Sequence, residues 1–137
     1  MKKYVIDTNA LISFVTDRNP KQQRIMKGIF EYASVLKGVI LCHHHVLTEF
    51  VYVMDKVYQV PKDEIKAMVK DFILLPGVDI IQEINFNTVF TYWPEVITDL
   101  GDAIVAALCK IQKGSILVTF DQKLIRQIKT AGLNAYS

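Results

Sequence analysis

Four short, mostly apolar runs set the terms on which this chain can fold: Tyr4-Val5-Ile6, Val39-Ile40-Leu41-Cys42, Val78 to Ile81, and Ser115-Ile116-Leu117-Val118-Thr119. None shows the sustained polar–apolar alternation of a strand with one wet face. Between them lie longer segments whose apolar residues recur at helical spacing. Ile25, Ile29, Tyr32, Ala33 and Leu36, for example, share one face of a helix opened by Pro20 and reaching about Lys37. Strands buried on both faces and separated by helices imply a parallel sheet with helices on either side, an α/β fold. Other helices are expected over Asn9 to Val15, His44 to Tyr58, from Pro61 at N1 to the stop at Pro76-Gly77, Asn87 to Val96, Asp102 to Lys113, and Lys123 to Thr130. Leu133 to Tyr136 is a candidate for a short extra edge strand.

The 137 residues are expected to form one domain, residues 1–137, large enough for a core of its own. With 51% hydrophobic residues, disorder is excluded. No apolar run approaches the roughly 18–20 residues that cross a bilayer, and Asp7 follows the first apolar run too soon for a signal peptide. A cytoplasmic protein with no membrane association is expected. Cys42 and Cys109 lack a CxxC spacing and sit in apolar stretches, so both read as buried free thiols. A net charge of +2 gives no bulk attraction for nucleic acid, so any such partner needs basic residues gathered on one face.

Parallel sheets place their sites beyond the carboxyl ends of the strands, and acids occur there. Asp7 directly follows the first strand. Asp121 follows the fourth after a single aromatic. Asp102 lies in the first turn of the helix that enters the fourth strand, and Glu49 sits within the apolar segment Val46 to Met54. Each has an ordinary reading. Asp7 and Asp121 suit turns or helix caps, Asp102 fits a capping box with Asp99, and Glu49 fits a wet helix face. Together they point further. Two carboxylates about 4 Å apart at an effective dielectric near 20 repel by about 4 kcal/mol. A divalent cation resolves that conflict, and hard oxygen ligands suit Mg²⁺ or Mn²⁺. A metal so held activates water and shields phosphate charge, which is the chemistry of phosphodiester hydrolysis.

Val5-Ile6-Asp7-Thr8-Asn9, Val46-Leu47-Thr48-Glu49, Asp102-Ala103-Ile104-Val105-Ala106-Ala107 and Val118-Thr119-Phe120-Asp121 resemble, in order and over essentially the whole chain, the signature of PIN domains. The resemblance implies a three-layer α/β/α sandwich with a central parallel sheet of about five strands. It implies a Mg²⁺- or Mn²⁺-dependent endoribonuclease, often the toxin of a VapBC-type toxin–antitoxin pair, often homodimeric and inhibited by a bound antitoxin. Carried over by motif, Asp7, Glu49, Asp102 and Asp121 are the metal-site and catalytic acids, with Asn9 and Thr119 as supporting polar positions. Asp99, one turn before Asp102, is a helix cap or an extra acid of the site.

Other features carry less. His43-His44-His45 reads as a strand-to-helix corner, because adjacent residues cannot comfortably share one metal. Lys123, Arg126 and Lys129 share one side of the last helix, and Lys21, Arg24 and Lys27 share one side of the second. Each ridge is a solvated face or a set of phosphate contacts for RNA. The aromatic residues are scattered and read mainly as core or interface. Two rival functions remain open. One is a non-catalytic PIN-like module binding RNA or protein. The other is a metal-dependent phosphatase of the haloacid-dehalogenase kind, which wants a second aspartate where Asn9 stands.

Overall fold

The computed structural model describes residues 1–136. Its elements run β1 (Lys2–Ile6), α1 (Thr8–Val15), α2 (Pro20–Ser34), β2 (Gly38–His43), α3 (His44–Lys56), α4 (Lys62–Ile73), β3 (Val78–Ile81), α5 (Phe86–Tyr92), α6 (Leu100–Ile111), β4 (Ile116–Val118) and α7 (Gln122–Thr130). The strands form one parallel sheet in the order β3-β2-β1-β4. From β1 the chain steps twice in one direction, through α1–α2 and then α3–α4, and returns past β1 to β4 through α5–α6. Right-handed crossovers put the outward helices on one face and the returning ones on the other, which gives three layers. The direction of travel reverses between β1 and β4. In an open parallel sheet that switch point is where a crevice opens, beyond the strands' carboxyl ends.

The fifth strand is reduced to a single bridge. Ala135 pairs with Leu117 in parallel, with Leu117 N–H donating to the Asn134 carbonyl at 2.9 Å and Tyr136 N–H donating to the Leu117 carbonyl at 2.8 Å. α5 stops at Tyr92 rather than running to Val96, since Pro94 offers no N–H and restricts the residue before it. Pro61 is the N-cap of α4 rather than its first residue. Both cysteines are buried free thiols, as expected, and burial pushes each up to about 12. No helix among the described residues is long and apolar enough to cross a membrane.

The core explains why the acids stay at the edge. Val5, Ile6, Ile40 and Cys42 are fully buried in the sheet's centre. On α6, Ala103, Ala106 and Ala107 let the helix lie close against β1 and β4. Asp102 therefore sits at the near end of a helix whose remainder is almost wholly apolar. α3 shows the same division: Phe50 is 1% exposed and Tyr52, two residues on, is 64% exposed. Phe50→Ala is expected to lower the unfolding free energy by about 3–5 kcal/mol, and Tyr52→Ala by no more than about 0.5 kcal/mol. Urea titrations of the two variants check this packing, and equal losses would contradict it.

Candidate active site

Asp7, Glu49, Asp99, Asp102 and Asp121 line one cleft of about 170 Å³, together with Thr8, Asn9 and Val105. The cleft lies at the switch point. The capping and clustering readings of the acids turn out to be compatible. Asp7 caps α1, its Oδ1 accepting from Ala10 N–H at 2.8 Å. Asp121 caps α7, accepting from the N–H groups of Lys123 and Leu124 at 2.9 and 3.2 Å. Asp99 caps α6, accepting from Asp102 N–H at 2.9 Å. Three helix N-termini therefore meet at the cleft, and their partial positive charge offsets part of the carboxylate repulsion.

Thr119 lies behind the cleft rather than in its lining. Its hydroxyl donates to Asp7 Oδ2 and accepts from Asp121 N–H at 3.2 Å, tying the ends of β1 and β4 together. Glu49 lies in an apolar stretch of sequence but has a wet helix face, one of its readings. Its side chain is 45% exposed and turned into the cleft. Thr8 Oγ1 donates to its Oε1 at 2.9 Å. His45 Nε2 stands 3.1 Å from the same oxygen without a properly aligned hydrogen bond to it.

Sequence reasoning missed Thr8, and it gave His45 too little weight although i, i+4 spacing already linked His45 to Glu49. It also missed Gly101, where an added Cβ would stand 2.5 Å from His45 Nε2. His43 does form a strand-to-helix corner. It caps α3, accepting from His45 N–H at Nδ1, and its Nε2 lies 3.0 Å from the Glu83 carbonyl. Asn9 lines the cleft, and its carbonyl accepts from Arg18 at 3.0 Å. Lys123, Arg126 and Lys129 do not line it.

The electrostatics carry the mark of this crowding. Burial pushes Asp7 up to about 6, against the opposing pull of its Thr119 and Ala10 hydrogen bonds, with Asp121 and Glu49 raising it further. Asp102 is pushed up to about 7, by burial first and then by Asp99, Asp7, Asp121 and Glu49. Among the described residues, no lysine or arginine pairs with any of these acids. The donors are all hard oxygens without a counter-charge, and such a set fits a divalent cation. No three acidic, imidazole or thiol groups among the described residues are already drawn into a closed cage. Mutual repulsion favours that open arrangement.

The sequence matches the family model for the PIN domain over residues 4–129. The chain belongs to the PIN-domain family. No curated protein matches the sequence. Among solved structures, this PIN domain is similar to VapBC2 from Rickettsia felis bound to a DNA fragment from its promoter, at 18% identity and TM-score 0.64, covering 98% of this chain and 97% of that one. It is similar to a protein of Pyrobaculum aerophilum at 18% identity and TM-score 0.66, over 98% and 90% of the two chains. It is also similar to VapC20 from Mycobacterium tuberculosis, a sarcin–ricin loop cleaving toxin, at 12% identity and TM-score 0.68, over 95% of each chain. At such identities the likeness is one of fold.

A carboxyl group with a raised native pKa holds its proton longer folded than unfolded. Stability of the metal-free PIN domain should therefore fall as pH rises from about 4, the ordinary aspartate value, through about 6 for Asp7 and about 7 for Asp102. Asp7→Asn removes that penalty while keeping an oxygen for the Ala10 cap. It is expected to stabilise the metal-free protein by about 3 kcal/mol at pH 8 and by little below pH 4. Denaturant titrations of both proteins across that range measure the difference, and a variant no more stable at pH 8 would contradict the burial of the charge.

Proposed function

We propose that this chain is a divalent-metal-dependent endoribonuclease, a single nuclease domain over residues 1–137. In this reading Asp7, Glu49, Asp102 and Asp121 hold Mg²⁺ or Mn²⁺, and Asp99, Asn9 and Thr119 support them. One observation carries it: several carboxyl groups share a cleft with no lysine or arginine, among the described residues, to answer them, and burial together with the neighbouring acids raises the pKa of Asp7 and Asp102. When bound, a divalent ion supplies water activation and charge shielding at a phosphodiester. The chain's own residues supply the frame. Thr119 donates to one oxygen of Asp7 and the Ala10 N–H to the other, which fixes the carboxylate at the cleft. Thr8 and His45 limit the swing of Glu49. The apolar start of α6 keeps Asp102 partly out of bulk water, which strengthens its electrostatic interactions.

The likeness to VapBC2 and VapC20 supports a toxin of a type II toxin–antitoxin pair, acting on RNA in the cytoplasm and restrained by an antitoxin protein. A homodimer is supported by the apolar side of α5, where Phe86 and Phe90, with ring centres 5.9 Å apart, are 54% and 55% exposed. The phosphatase alternative is disfavoured by Asn9, whose position that chemistry fills with an acid. The open spacing of the acids favours a second reading, a non-catalytic PIN-like module, which would bind RNA without cutting it.

Incubating the protein with total RNA in Mg²⁺, Mn²⁺ or chelator, beside Asp7→Asn, decides between them. Discrete cuts with 5′-phosphate and 3′-hydroxyl ends are expected, lost in chelator and reduced by at least about 100-fold in the variant, as for loss of a metal contact. Products ending in 2′,3′-cyclic phosphate would reject the metal–water route. Binding without any cutting, and no Mn²⁺ uptake by calorimetry, would leave the non-catalytic module.

A further inference from the structure

The sequence offers two basic ridges, and the carboxylate cleft uses neither. The fold brings one member of each to a common groove. Lys129 of α7 lines a cleft of about 320 Å³ with Ile25, Phe120, Ile125 and Tyr136. Arg24 of α2 lines an adjoining cleft of about 420 Å³ with Lys2, Gly28, Tyr32 and Tyr136. The two share Ile25 and Tyr136, so they form one continuous groove between α2 and α7. Among the described residues its charged lining is basic: Lys2, Arg24 and Lys129, with no aspartate or glutamate. Aromatic residues line both parts beside those cations: Phe120 in the first, Tyr4 and Tyr32 in the second, and Tyr136 in both, with Lys2 Nζ 5.9 Å from the Tyr32 ring centre.

The groove also abuts the candidate active site. Thr119, Phe120 and Gln122 wall the groove, while Asp121, between them in sequence, lines the carboxylate cleft. Adjacent Cα atoms are about 3.8 Å apart, so one loop separates the two cavities. Cations that track a phosphate backbone, interleaved with aromatic rings on which bases stack, are what an unpaired nucleic-acid strand requires. A duplex holds its bases inside and offers them to no such ring.

We propose that the groove between α2 and α7 binds the single-stranded part of the RNA substrate adjoining the cut. Arg24, Lys129 and Lys2 meet its phosphates, and Phe120, Tyr136 and Tyr32 meet its bases. This inference rests on the ribonuclease reading for its substrate, but its test does not require cleavage. Binding of a labelled single-stranded RNA twelve-mer is followed by anisotropy in chelator, in a salt series. The double variant Arg24→Gln, Lys129→Gln is expected to bind about tenfold more weakly. Its salt slope should be shallower by about 1.4, at about 0.7 for each lost phosphate contact on a single strand.

Tyr136→Ala is expected to bind about five- to tenfold more weakly through lost stacking, and to leave binding of a fully paired duplex unchanged. Lys62→Gln, Lys66→Gln, lining a separate cleft between α3 and α4, is the control and should bind like the parent. In Mg²⁺ or Mn²⁺ the loss in the groove variants should appear in KM. Groove-dependent binding without cutting would support the groove and remove the ribonuclease reading. Cutting with KM and affinity unchanged in both groove variants would overturn the groove and leave the ribonuclease reading standing. Equal weakening in the Lys62, Lys66 control would also overturn it, by showing attraction spread over the whole surface.

Discussion

Five carboxyl groups share one sheet edge, with a single imidazole within ion-pair reach of any of them. The surrounding structure is arranged to withstand that repulsion. Each device is local and modest: the N-termini of α1, α6 and α7 offer backbone N–H groups, and the hydroxyls of Thr8 and Thr119 donate to Glu49 and Asp7. None neutralises a charge. What remains is absorbed by the core, whose buried strands and alanine-faced α6 hold the acids together at a cost the apolar burial exceeds.

The sheet was legible because its strands are short and apolar, and a strand buried on both faces has little other way to look. All four strands lie where the apolar runs put them, to within one or two residues. The ends of elements were harder. Pro94 ended α5 early, since a ring without an N–H outweighs the helical spacing around it. The fifth strand was overestimated because a preference for extended backbone does not say how many partners are within reach. At the site, Asp7, Asp102 and Asp121 were readable from their place after strands or at a helix start. Glu49 was ambiguous: its apolar neighbours in sequence and a wet helix face pointed different ways, and only three-dimensional placement shows that its own face is half wet.

Likeness to other PIN domains lies in the fold far more than in the residues, at 12–18% identity to the solved structures. The physics accounts for this. A switch point with three capped helix starts needs only a few fixed side chains, and apolar volume elsewhere can be filled in many ways. The family match ends at residue 129, so Tyr136 lies beyond it. Lys2 lies before its start, whereas Arg24, Tyr32 and Phe120 lie within it. The groove thus combines the shared scaffold with positions outside the matched range.

His45 rests against the bare Cα of Gly101, and no side chain fits between them. The gap between α3 and the start of α6 is therefore set by main chain on one side and a flat ring on the other. A gap bounded in this way cannot be narrowed by a rotamer change at position 101, and it widens only if the imidazole itself moves. Positions 45 and 101 are thus mechanically coupled: a side chain at 101 displaces the imidazole, and Glu49 of the acidic cleft then loses its neighbour.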